Sequence, residues 1–105
     1  MTGEWSGTED STEEVQKICD EVKPDVEKMT NKTFEEFTAK KYRHQIVAGT
    51  NYLIKVHVGG SSYIHIQLFQ SLPCNGGALN LFGVQENHTE NDPLDLFPPF
   101  SEAAQ

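Results

Sequence analysis

Apolar side chains recur at Val15, Ile18, Cys19, Val22, Val26 and Met29, in steps of 3, 1, 3, 4 and 3 residues. Such steps keep to one face of a helix. Ser11 and Glu14 stand just ahead of them as an S-x-x-E capping box. A helix is predicted over about residues 12–29. Pro24 falls inside it and removes one backbone donor, so a kink is expected there. Cys19 shares the apolar stripe, which assigns it to packing.

From Lys32 onward the period changes. Residues 33–47 mix Phe34, Phe37, Tyr42, Ile46 and Val47 with polar positions. Residues 51–58 alternate, with Tyr52, Ile54, Val56 and Val58 on one side and Leu53, Lys55 and His57 on the other. Residues 62–71 repeat this with Ile64, Ile66 and Leu68, and residues 79–85 read as another strand. Period-two alternation indicates half-buried antiparallel strands, and Gly59-Gly60 between two of them signals a two-residue hairpin. A short edge strand is expected around residues 94–97. One helix can cover one apolar sheet face, so the fold class is α+β, a helix lying across an antiparallel β-sheet. The expected organisation is a flexible trunk over 1–10, one domain over 11–97 and a tail over 98–105.

Charge and composition narrow the function. The chain has 105 residues and a net charge of -8, with a pI near 4.8 and mean hydropathy of -0.53. It lacks the clustered Lys and Arg that phosphate contacts need, so no nucleic-acid partner is expected. No apolar run approaches the roughly 18 residues of a spanning helix, so no membrane partner is expected. The acids are placed unevenly: residues 1–30 carry a net -6, residues 31–85 a net +3 and residues 86–105 a net -5. The two cysteines, Cys19 and Cys74, are too few for a disulfide framework or a zinc knuckle. The opening residues have neither a basic region nor an apolar stretch, which points to a cytoplasmic protein with free thiols. The glycosylation patterns at Asn31 and Asn87 would then go unused.

Candidate chemistry is sparse. No glycine-rich phosphate loop precedes a helix. His57 and His65 fall on one polar sheet face, but a metal would need a third ligand converging on them. No metal, cofactor or catalytic residue is assigned, and the chain is not expected to be an enzyme. The loops carry more information. Gln45-Ile46-Val47-Ala48-Gly49 joins two strands where a polar turn is usual. Its apolar residues either form an interface or point inward from an ordinary turn. Leu72-Pro73 is a rigid apolar pair at a strand exit, and it too could be an ordinary turn. In an antiparallel meander the two connections lie at the same end, where side by side they would form a blunt wedge.

These residues resemble a known family. Gln45-Ile46-Val47-Ala48-Gly49 fits the Q-x-V-x-G signature of the stefins, the type 1 cystatins. The strand Thr50–Val58, the segment Phe69-Gln70-Ser71-Leu72-Pro73 and the helix step Val22-Lys23-Pro24 are also similar to stefin sequence. The resemblance runs from about Gly3 to Phe97. It implies a cystatin-like sheet wrapped around a helix, and an intracellular, reversible, competitive inhibitor of papain-like cysteine proteases such as cathepsins. Gly3, Gln45, Ile46, Val47, Ala48, Gly49, Leu72 and Pro73 would then contact the protease. A monomer is expected, with a domain-swapped dimer as the variant form. The alternative is a non-inhibitory protein-binding scaffold on the same fold.

Overall fold

The computed structural model describes residues 4–97. Five antiparallel strands form one sheet in the order β1-β2-β3-β4-β5: β1 (Glu9–Asp10), β2 (Thr38–Val47), β3 (Gly49–His57), β4 (Tyr63–Gln70) and β5 (Leu79–His88). Helix α1 (Glu13–Thr30) lies between β1 and β2 in the chain. It packs Val15, Ile18, Cys19, Val22 and Val26 against Ile54, Val56, Ile64, Ile66 and Leu68. The stripe and the alternation therefore meet face to face. Met29, counted on the stripe, stays exposed. Burial pushes the Cys19 thiol up to about 12, so it is an inert packing group.

The helix begins one residue later than the capping box suggested. Thr12, extended at φ -120°, accepts the Val15 N–H on its hydroxyl at 3.2 Å. Ser11 instead donates its N–H to the Lys40 carbonyl, so it belongs to the sheet side. Replacing Thr12 with alanine is expected to cost about 1 kcal/mol, read as a lower urea midpoint at unchanged slope. The helix continues through Pro24 to an end at Asn31, which adopts φ 58° and donates its N–H to the Glu27 carbonyl.

Residues 33–37 are not strand. Phe34 and Phe37 are three apart, so an alternating strand would put them on opposite faces. Both are buried in the core beside the helix, their rings 5.7 Å apart. Gln16 stitches the helix to the start of β2, donating to the Phe37 carbonyl and accepting the Ala39 N–H. A bulge between Ala39 and Lys41 then resets the alternation. It lets Ala39 and Tyr42 both pack on the helix side while Lys40 and Lys41 stay exposed.

Two further differences concern connections. Gly59 and Gly60 stand in a five-residue link, Val58–Ser62, closed by the Val58 and Ser62 amides, and not in a two-residue turn. Residues 94–97 form no strand. They cross the second face of the sheet, where Leu94 and Phe97 bury Leu53 with Trp5 and Leu96 alongside. That face is thus not a solvated polar surface: Lys55, His65 and Gln67 are all buried on it. Lys55 Nζ donates to the carbonyls of Glu90 and Asp92, each at 2.6 Å, which compensates the buried charge. The Gln67 side chain accepts the Phe97 N–H at 3.2 Å. No helix among the described residues is long and apolar enough to cross a membrane.

Candidate functional site

The β2–β3 hairpin closes abruptly. Val47 pairs with Gly49, leaving Ala48 alone at the apex. Gln45 lies opposite Asn51, whose side-chain amide donates to the Gln45 side-chain carbonyl at 2.9 Å. Ile46 is 61% exposed, Ala48 is exposed and Val47 is half-buried. The apolar tip therefore points largely into solvent and is not folded inward.

Gly49 determines where that tip sits. It is buried at φ +125°, a conformation that disfavours a side chain. A Cβ built there would fall 2.5 Å from the Gln70 carbonyl oxygen and 2.5 Å from the Phe69 ring. The hairpin apex thus presses directly on the end of β4, the strand that leads into the second loop.

That second loop is closed by its own backbone. Ser71 exchanges bonds with Ala78 through its N–H and its hydroxyl, and the Gly77 and Gly76 amides reach the Leu72 and Pro73 carbonyls. Pro73–Asn75 forms a single 3-10 turn, with Leu72 38% exposed and Cys74 exposed beside it. Gly49, Thr50, Leu72 and Pro73 line one concavity with Glu14 from the first turn of α1.

The described part of the trunk leads to the same end. Residues 4–10, expected to be flexible, run antiparallel along β2. Glu9 and Asp10 pair with Tyr42 and Lys41, and the Asp10 carboxylate meets the Lys41 ammonium. Further up, Ser6 donates its N–H to the His44 carbonyl and accepts the His44 N–H on its hydroxyl. Each step back along the chain climbs toward Val47. Gly3 lies outside the described residues.

Two apolar loop tips and the trunk's approach thus share one end of the molecule. The cystatin domain family matches residues 3–91, a span that takes in Gln45–Gly49 and Leu72–Pro73. The chain belongs to the cystatin family. It is 46% identical to cystatin-B of Oplegnathus fasciatus, over 92% of this chain and 97% of that protein. It is 54% identical to leukocyte cysteine proteinase inhibitor 1 of Sus scrofa, over 83% and 84%. Human cystatin-B is 43% identical, over 92% and 99%. The stefin resemblance read from the sequence is therefore correct, and the helix against an antiparallel sheet is the cystatin arrangement.

Within this cystatin the histidines have separate environments. His57 contacts Glu36 and the Gly60 carbonyl at the opposite end from the loop tips. His65 is buried and stacks on His88, centroids 3.7 Å apart. Among the described residues, no group of three or more His, Cys, Asp or Glu side chains is placed to hold a metal ion. Sequence reading found both loop tips but missed what supports them. Phe69 and Gln70 stood inside the recognised segment, yet their contact with Gly49 depends on strand register, which no local pattern encodes.

Proposed function

We propose that the chain is a reversible, competitive inhibitor of papain-like cysteine proteases, acting in the cytoplasm as a monomer. The observation that carries this reading is the packing of Gly49 on Gln70. It sets the apex of the hairpin that carries the exposed Ile46 against the end of β4, the strand that leads into the exposed Leu72. Gln45, Ile46, Val47, Ala48 and Gly49 would cover the catalytic centre of the enzyme. Leu72 and Pro73 would fill one side of its cleft, and Gly3 would lead the trunk along the other. Exposed apolar tips on hydrogen-bonded turns suit burial in a groove. Turns already closed lose little conformational freedom on docking, so binding can be tight without a covalent step. The relatives' names, cystatin-B and leukocyte cysteine proteinase inhibitor, support the choice of target. Both cysteines are free, the state that a reducing compartment maintains.

Titration of active papain with the chain tests this. The expected result is a linear loss of activity that ends near one chain per active enzyme and is recovered when substrate is raised. Full activity at micromolar chain would overturn the proposal and favour a binding scaffold without inhibitory function.

A further inference from the structure

The trunk is held from behind the sheet as well as along β2. Arg43 lies on the face opposite the helix, level with Leu53. Its Nε donates to the Ser6 carbonyl at 2.9 Å, and its Nη1 donates to the Leu94 carbonyl at 2.7 Å. One guanidinium therefore joins the N-terminal trunk to the C-terminal segment that crosses this face. Trp5, next to Ser6, packs on the Leu53, Leu94 and Phe97 cluster. Ser6 is consequently bonded through its N–H, its hydroxyl and its carbonyl.

The geometry points to Arg43 as a positioning residue for inhibition, one that sets the trunk's departure toward the protease through Ser6 without touching the enzyme. This deepens the proposed function and rests on it. The chemistry suits arginine. A guanidinium presents donors along separate directions of a rigid plane, so it can hold two carbonyls on different segments at once. A lysine ammonium on a flexible stem would satisfy one of them less rigidly. A trunk anchored at residues 5–6 has little orientation left to lose when residues 1–4 meet the enzyme, and preorganisation of this kind slows dissociation.

The test crosses Arg43→Ala with removal of residues 1–4, and reads the inhibition constant and dissociation rate against papain. In the full chain Arg43→Ala is expected to weaken binding about tenfold, chiefly through faster release, and in the shortened chain by less than about twofold. Arg43→Lys should fall between wild type and alanine. It also serves as the second variant if the alanine form does not fold. A protease-independent readout accompanies these, because Trp5 is the chain's only tryptophan. Its acrylamide quenching should rise when Arg43 is replaced, even in the free protein. Equal weakening in both chain lengths would make Arg43 a structural residue of the hairpin and overturn the inference, as would unchanged Trp5 quenching. If the wild-type chain itself fails to inhibit papain, the proposed function falls, and Trp5 quenching alone then decides whether Arg43 holds the trunk.

Discussion

Gly49→Ala is expected to raise the inhibition constant against papain by about two orders of magnitude, while the chain still folds. Two effects act at this position. A non-glycine residue at φ +125° carries backbone strain of about 1–3 kcal/mol. The added methyl would also fall 2.5 Å from the Gln70 oxygen, a backbone atom that cannot rotate away. The apex must lift off β4, and Ile46 and Leu72 then no longer share one alignment. Folding stability should drop by about 2–4 kcal/mol, which leaves the rest of the sheet intact. Gly60→Ala is the control. Gly60 also has positive φ, at 55°, but a Cβ there meets nothing within 4 Å, and it lies at the other end of the sheet. It should lower stability by about 1 kcal/mol and leave inhibition unchanged. Measured inhibition constants and urea midpoints for both variants check this. An unaltered inhibition constant in Gly49→Ala would show that the contact with Gln70 does not set the tip.

The contrast between these glycines shows what sequence can and cannot reveal. Both are legible as turn residues, since each stands between alternating runs. Only the register of β3 against β4, with Thr50 opposite Gln70, makes one a packing point and the other a free bend. The helix was readable because five of its six striped positions have a single partner surface. The strands β3 and β4 were readable because their alternation is regular. The bulge in β2 was not, because it preserves burial by breaking the period: Ala39 and Tyr42 both face the helix although three residues apart.

The second sheet face was misread for a related reason. Its strand residues include Lys55, His65 and Gln67, which read as solvated. They are covered because residues 89–97 fold back over them, and that segment has no period of its own. Its hold comes from single contacts distant in sequence: Lys55 to two carbonyls, Arg43 to Leu94, Gln67 to Phe97. Strand β1 was missed because two residues are too few to show alternation. At the site, the loop tips were visible as apolar residues where polar ones are usual. Their support was not, since Phe69, Gln70, Arg43 and Ser6 become neighbours only through the sheet.

Acidification should unfold this chain more readily than its acidic composition suggests, and His65 should be the main cause. Burial is the chief force holding His65 down to about 3, from an ordinary 6.5; His88 stacked on it and the Lys55 ammonium act in the same direction. Its Nε2 is buried with no hydrogen-bond partner. The unfolded chain therefore takes up a proton below about pH 6.5 that the folded chain refuses until near pH 3. Folding stability is lost across that window, on the order of 3 kcal/mol between pH 7 and 4.5. Asp92 adds to the loss at lower pH. Hydrogen bonds from Thr89 and His88 hold its carboxyl at about 2, so its stabilisation is complete above the usual 3.8 and disappears as pH falls toward 2. His57 opposes both. The Gly60 carbonyl and Glu36 raise it, so its contribution is present below 6.5 and fades as pH rises through its folded value. His65→Leu removes the proton uptake and keeps an apolar group under the C-terminal segment. Urea unfolding at pH 7 and pH 4.5 should then show less than half the wild-type difference in stability. The comparison is between the two pH values within each protein, so any change in packing at pH 7 cancels. An equal pH dependence in both proteins would assign acid sensitivity to other groups and remove His65 from the account.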